Sequence, residues 1–526
     1  MQTKRPSKAP PGHAAKVLAA LLIPIAVFLS YFMLDSNIRT VAIALLVIAA
    51  AGIVGLSYKK KPQSPDLFIS SGLTPPATFS QELILTKRGG KGDNFFCDPS
   101  LAFGSLSDFS FIPGRKIDFA TLIREKGHVI GPYCVDDERR QIIFVETPAG
   151  FDPATEGPFY FQSQRKKAVR LYTVPYEEYH RVAKSLTSAH TDNLLLVYNT
   201  SRCGSTLLSK CLSSLTGMQS ISEPDVFTSL THMAAEARGT RNADIIAIAN
   251  SSAKIICHLR RLKHPNLDAI CLKFRFQQIY IADLLRQAIP DAKTIFLYRN
   301  ALDVIDSMGA AFINTGAYRA IRYTGFDSFY VFYISQLPLH LWKLMPLMND
   351  LKRFPQSVYQ GLGAVCPFVM TWISVMHYAL KFTQSGVIQA SVRYEDMIEG
   401  KTDLIKKLLF EIGMRCETVN SSGTEDSEDS DTSVNYATPR GRSASAEGSE
   451  LHFKKDVHAK TSSRSRRTKF NADGTRERLG FAYLRGNDVA HITKVISQHP
   501  TLHSDSIVTN TLSLNDVYHK SATSCA

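Results

Sequence analysis

The stretch LLLVYNTSRCGSTLLSKCL, Leu194 to Leu212, decides how the rest of the chain is read. LLLVY is the apolar run expected of a strand buried on both faces. A helix is predicted from about Ser205 to Leu215. Between them lies the loop TSRCG. The amides of Gly204, Ser205 and Thr206 open the helix, where unpaired N–H groups and the helix dipole favour an anion. Gly204 lets the backbone come close to a ligand, and the hydroxyls of Ser205 and Thr206 add donors. The loop is nonetheless not GxxxxGK[ST]. It lacks the second glycine and the lysine directly after the glycine, and with them the usual parts for holding a β/γ-phosphate with magnesium. Arg202, two residues before Gly204, offers a planar fork for phosphate or sulfate instead. Lys210, further down the helix, reads as a surface residue.

Outward from this loop the pattern repeats. The apparent strand MQSI follows the first helix. AICLKFRF (Ala269 to Phe276) is strand-like, and QQIYIADLLRQAI (Gln277 to Ile289) has helical spacing. KTIFLY (Lys293 to Tyr298) is a further strand, and ALDVIDSMGAAF begins another helix. Residues Phe329 to Phe382 read as long, aromatic-rich and helical. QASVRYEDM supplies a last strand and a helix start, which LIKKLLFEIGM continues. Apolar strands alternating with helices predict an α/β fold, a parallel β-sheet with helices on both faces. Ligands in such sheets sit at the C-terminal ends of the strands, where TSRCG lies.

A second motif, IFLYRNALDVIDSM, has Arg299 at a strand end and Ser307 eight residues on, within the next helix. The turn can bring both to one anion. Read by itself, the motif makes Arg299 a partner for Asp303 and Ser307 a helix-surface residue.

The flanking regions differ in character. Ala14 to Leu34 and Thr40 to Tyr58 are apolar runs joined by DSNIR, each near the ~20 residues needed to cross a hydrocarbon core. They predict a transmembrane helical hairpin within 1–63; a single span followed by a buried helix is the alternative. Lys4, Arg5, Lys8 and Lys16 precede the linker and Lys59 to Lys61 follow it, so the positive-inside rule puts both termini and the body in the cytoplasm. The sequon Asn199-Thr200-Ser201 agrees, since a lumenal body would carry a glycosylation acceptor on the phosphate loop. Residues 64–186 form an accessory α/β region with strands at QIIFVET and AVRLYTV and a short helix in PYEEYHRVAKSL. Residues 187–416 form the core. The polar, Ser-rich segment 417–469 has too little apolar content to offset ordering entropy and is expected to be a disordered linker. It reads either as phosphorylation-prone or as a tolerated insertion. Residues 470–526 return to the core, through GFAYLRGNDVAHITKVI, and end in a tail.

Part of the net charge of +14 on 526 residues sits in short clusters that suit membrane flanks and solvated tails. No zinc finger, RNA-binding signature or aromatic-interleaved basic patch points to nucleic acid. Nine cysteines without a CxxC pair argue against a disulfide framework and a zinc site.

Together, SRCGSTLL and RNALDVIDS resemble the two nucleotide-binding signatures of the sulfotransferases, which use 3′-phosphoadenosine 5′-phosphosulfate. The resemblance covers roughly Asn193 to Met414, with RYEDM similar to a later strand–helix junction of the family. It implies the family's P-loop NTPase-like fold. It also implies that the loop Arg202, Cys203, Gly204, Ser205, Thr206 and Leu207 binds the 5′-phosphosulfate, with Arg202 at the leaving group, and that Arg299 and Ser307 bind the 3′-phosphate. No metal is expected. The candidate base is Glu223 in SISEPDVF, at a spacing similar to that in the tyrosylprotein-sulfotransferase branch; a turn residue before Pro224 is the equal alternative. Lys273 is a further candidate contact. Glu395 and Asp396 read as helix-capping residues, and His258 and His264 as surface residues.

The reading is a membrane-anchored sulfotransferase acting on a hydroxyl of a carbohydrate, lipid, small molecule or protein tyrosine. A non-catalytic membrane scaffold and a P-loop kinase or nucleotide hydrolase are the alternatives. Membrane-bound family members generally have one span and a lumenal body, so a cytoplasmic body suits a lipid or small metabolite and an endomembrane lumenal one a secreted protein or glycan.

Overall fold

The computed structural model describes residues 77–88, 103–186, 191–312, 362, 365–414, 468–470, 476–478, 484, 486–497 and 502. All lie in one compact unit, Thr74–Ala526. The two apolar runs of the expected hairpin and nearly all of the expected linker fall outside these residues. Among the described residues no helix is long and apolar enough to cross a membrane.

Two five-stranded sheets organise the fold. The first is antiparallel, in the order β2-β1-β5-β4-β3. Its strands are β1 (Gln81–Arg88), β2 (Phe109–Lys116), β3 (Ile130–Asp136), β4 (Gln141–Glu146) and β5 (Arg170–Pro175). Helices α1 (Phe119–Lys126), α2 (Tyr160–Lys167) and α3 (Tyr176–Ser185) belong to the same region. The accessory α/β region is thus a sheet with its own core, built on Tyr133, Ile143, Val145 and Leu171.

The second sheet is parallel throughout, in the order β10-β9-β6-β8-β7. Its strands are β6 (Leu194–Asn199), β7 (Met218–Ser222), β8 (Ala269–Lys273), β9 (Lys293–Tyr298) and β10 (Ala390–Arg393). Every residue of β6 is buried. Because side chains alternate across a strand, Leu195 and Val197 pack on one face with α4 (Ser205–Ser213) and α10 (Tyr394–Glu411). Leu194, Leu196 and Tyr198 face the other side. There lie α5 (Asp225–Ala237), α6 (Asn242–Lys263), α7 (Ala282–Ala288), α8 (Ala301–Phe312) and α9 (Cys366–Gln384). From β6 the chain builds outward to β7 and β8 on one side, then crosses to β9 and β10 on the other. The helices after β6 and β9 leave to opposite faces, which opens a crevice between these strands at their C-terminal ends.

The parallel α/β expectation holds, with several boundaries moved. β8 stops at Lys273, and Phe276–Ile281 is a 3₁₀ segment before α7 rather than the start of a regular α-helix. Thr468 and Lys469, assigned to the linker, stand in a strand, β11 (Thr468–Phe470), paired with β12 (Arg476–Arg478). Of the aromatic-rich stretch 329–382, Leu362 and the residues from Val365 are described. Helix α11 (Gly486–Ser497) returns to the main core through Ile492 and Ile496, and the Leu484 amide donates to Asp306 Oδ1 at 3.0 Å.

The accessory region is keyed to α6 by a buried ion pair. Arg260 donates to both oxygens of Asp152, at 2.8 and 2.6 Å, and its Nε donates to Gln219 at 2.7 Å. His264, expected at the surface, is half-buried and lies 3.1 Å from the same carboxylate. His258 is half-buried in α6. Burial alone would raise the Asp152 pKa, but Arg260 outweighs it and holds the carboxyl well below the ordinary range. Asp152→Asn should lower the urea unfolding free energy by about 3–5 kcal/mol, since it strands a buried guanidinium. The wild-type contribution is present above the ordinary carboxylate pKa and fades as pH falls toward the depressed folded value. The stability difference between the two proteins should therefore shrink in acid, as urea midpoints measured across pH would show.

Candidate functional site

The loop after β6 is held open by its own backbone. The Asn199 side chain donates to the Phe274 carbonyl at 2.7 Å and accepts from the Ser201 amide at 3.0 Å. The Thr200 amide donates to the Leu297 carbonyl at 3.1 Å, tying the loop to β9. Ser201, Arg202 and Gly204 then take left-handed φ values of 62°, 48° and 79°. For the two side-chain-bearing residues this costs ~1–2 kcal/mol each. Such strain is retained where the surroundings over-determine the backbone, often at functional sites. Asn199 is itself buried, with its side-chain amide engaged by the Phe274 carbonyl.

Gly204 is the N-cap of α4, and no side chain caps that end. The first amides of the helix point into the crevice mouth, where an anion is favoured. A β-carbon on Gly204 would lie 2.4 Å from the Tyr394 ring. Ser205 is buried and Thr206 half-buried at the helix entrance. Cys203 and Leu207 turn their side chains into the core on the α4 face, so they can offer only backbone groups to a ligand. Burial pushes the Cys203 thiol pKa up. Lys210 is exposed, as expected.

The second motif meets the first at this point. Arg202 Nε donates to Ser307 Oγ at 2.9 Å, and an Arg299 terminal nitrogen donates to the Arg202 carbonyl at 3.3 Å. The Arg299 guanidinium lies 4.6 Å from the Tyr394 ring centroid and 3.4 Å from Asp303. Its Nε is buried without a partner. The Arg299 carbonyl is fixed by Trp372 Nε1 at 3.2 Å. Arg202 thus stands between Arg299 and Ser307, joining the two motifs. Burial disfavours the Arg299 charge, but Asp303, Tyr394 and Glu395 together outweigh it. Arg202 has no carboxylate partner among the described residues; desolvation, then the neighbouring Arg299 charge, presses its pKa below the usual arginine value. Two guanidiniums meeting in this way suit an anion that both can neutralise.

Glu395 is more than a helix cap. It is largely buried, accepts from the Asn300 amide at 3.4 Å, and has one buried oxygen without a partner. Burial raises its pKa. Asp396 pairs with Arg393. The N-terminus of α10 has no side-chain cap at all.

Glu223 stands just past β7 with φ 58°. Its amide donates to the Lys273 carbonyl at 2.7 Å, and its Oε1 accepts from Lys273 Nζ at 2.7 Å. Arg275 approaches the other oxygen at 3.5 Å. Lys273, expected as a strand-end contact, is buried and already paired. It still lies near enough to the loop for its charge to favour the Cys203 thiolate. The accessory region reaches this spot: the Phe159 ring centroid is 5.2 Å from Lys273 Nζ, and Arg275 packs between Phe103 and Phe161. Arg275 also binds the buried Asp225, which accepts from the Gly104 amide at 2.6 Å.

Sequence reasoning named Arg202, Arg299, Ser307 and Glu223, and all stand at the C-terminal edge of the parallel sheet. It missed Tyr394, Trp372 and the Lys273–Glu223 pair. RYEDM marked the junction at Tyr394, but no local signal says that its ring reaches Gly204.

No protein-family model and no curated protein matches this chain. The geometry of Gly204 is directly testable. Gly204→Ala should lower stability by about 1–3 kcal/mol through backbone strain, plus the cost of displacing the Tyr394 ring. The penalty should shrink in a Tyr394→Ala background, where only strain remains. Equal penalties in a double-mutant cycle by thermal unfolding would remove the ring contact from the account.

Proposed function

We propose that this chain is a sulfotransferase that moves the sulfonate of 3′-phosphoadenosine 5′-phosphosulfate to an acceptor hydroxyl. The observation that carries this reading is the meeting of Arg202, Arg299 and Ser307 beside the uncapped N-terminus of α4. A magnesium-dependent hydrolase would draw on a lysine after the glycine, and Ser205 stands there instead. The resemblance of both motifs to the sulfotransferase signatures points the same way.

In this reading the α4 amides, Ser205 and Thr206 hold the 5′-phosphate, and Arg299 and Ser307 hold the 3′-phosphate. The acceptor oxygen attacks sulfur, and the bond from sulfur to the bridging phosphate oxygen breaks. Arg202 offsets the charge that builds on the leaving phosphate, in a site where preorganised donors count for most. Glu223 takes the acceptor proton. Its pairing with Lys273 holds it in place, so the base is a carboxylate aimed by its neighbour. The N-terminal apolar runs would anchor the body to a bilayer, in a multi-pass arrangement with the body in the cytoplasm. The acceptor belongs to the hydroxyl-bearing class.

Binding and chemistry separate in the tests. The bisphosphate product, 3′-phosphoadenosine 5′-phosphate, should raise the melting temperature by mass action, and Arg299→Ala should lose most of that rise. Stabilisation by ATP with magnesium, and none by the bisphosphate, would sink the reading. Glu223→Gln should keep the bisphosphate shift while sulfonate transfer from the labelled donor to a hydroxyl acceptor falls by ~10²–10⁴-fold. Bisphosphate binding without transfer in the wild type, across carbohydrate, lipid and phenolic acceptors, would instead support the non-catalytic scaffold.

A further inference from the structure

The antiparallel sheet is covered unevenly. Over β4 and β5 one face packs Ile142, Phe144, Tyr172 and Val174 against Phe119 of α1 and Tyr179 of α3. Glu82 stands opposite Tyr172 in the β1–β5 register, so this face continues across β1 and β2. There it carries Ile84 and Ile112, which are cross-strand partners. They are 44% and 52% exposed. A register shift after Leu85 brings Lys87 opposite Ser110, two residues from Ile112, and so onto the same face.

The charges around this pair are predominantly basic. Arg115, with its side chain 80% exposed, and Arg170 both reach Glu82, which is buried beneath them. Lys116, opposite Gln81 and so on the other face, lies over the exposed ring of Phe79, 4.1 Å from its centroid. Lys87, on the same face as the isoleucines, pairs with no carboxylate among the described residues. Lys87, Arg115 and Arg170 thus share this face with one carboxylate and the two exposed isoleucines. Phe79 follows the second apolar run, which ends at Tyr58, by about twenty residues, a tether of at most ~70 Å at ~3.3–3.6 Å per residue.

We propose that the outer face of β1 and β2 rests on an anionic lipid surface, with Ile84 and Ile112 at the headgroup boundary and Lys87 and Arg115 against the lipid phosphates. Exposed apolar side chains ringed by basic ones are the composition that such a surface favours. This contact is separate from the crevice chemistry and does not depend on it. It would hold the accessory sheet, and with it the Phe159–Lys273 side of the crevice, at the bilayer.

The full chain tests this. The described cysteines are buried, so replacing Cys97, Cys416 and Cys525 by serine leaves an introduced cysteine as the accessible site for an environment-sensitive fluorophore. The label is placed at Ile112→Cys, or at Lys210→Cys as a solvent-facing control. The chain is bound to vesicles of phosphatidylcholine alone or with phosphatidylserine, each carrying a doxyl-lipid quencher. In the anionic vesicles the label at 112 should shift to the blue and be quenched, and the label at 210 should not. Lys87→Glu should lower the quenching severalfold at an unchanged melting temperature. Two results overturn the proposal. One is a label at 112 that stays in water on anionic vesicles, as for an edge strand charged only to prevent strand pairing. The other is shielding that is the same without anionic lipid or in Lys87→Glu, as for a second copy of the chain.

Discussion

The ring of Tyr394 rests where a β-carbon of residue 204 would have to be, and the same ring lies against the Arg299 guanidinium. That contact joins three strands of the parallel sheet. Gly204 ends the loop after β6, Arg299 follows β9, and Tyr394 follows β10. A glycine under the ring leaves the loop close enough for Arg202 to reach Ser307. It also leaves the α4 amides facing the crevice. Any side chain at 204 would push apart the elements whose convergence makes the site.

Charge burial is the second constraint. Removing Lys273, Glu223, Arg275 and Asp225 from water would be costly unless each found a partner. Each does: Lys273 holds Glu223, and Arg275 bridges Glu223 and Asp225. The cluster occupies the C-terminal ends of β7 and β8, and the accessory region closes over it with Phe103, Phe159 and Phe161. Arg260 and Asp152 do the same on α6. Ion pairs of this kind contribute specificity of docking more readily than net stability. They fit the accessory sheet in one position because any other would strand a charge.

Much of this was legible along the chain. LLLVY and KTIFLY are continuous apolar runs, and only a strand covered on both faces needs them; both are strands within one residue of the expected bounds. AICLKFRF was harder. Lys273 and Arg275 are charged, and their burial depends on Glu223 and Asp225, fifty residues away. Glu395 read as a cap because acidic residues favour helix starts. In the fold it is half-buried beside Asn300, a partner that comes from the loop after β9.

By itself the sequence determined the alternation of buried strands and amphipathic helices, the glycine at the mouth of α4, and the residue types able to hold an anion. These follow from local periodicity and from the chemistry of single side chains. Only the tertiary structure decided that Arg202 stands between Arg299 and Ser307, that Lys273 is spent on Glu223, and that Tyr394 covers Gly204. Those pairings join residues about a hundred or more apart in the first case, fifty in the second and nearly two hundred in the third. They exist because parallel strands bring all their C-terminal ends to one edge, whatever the length of chain between them.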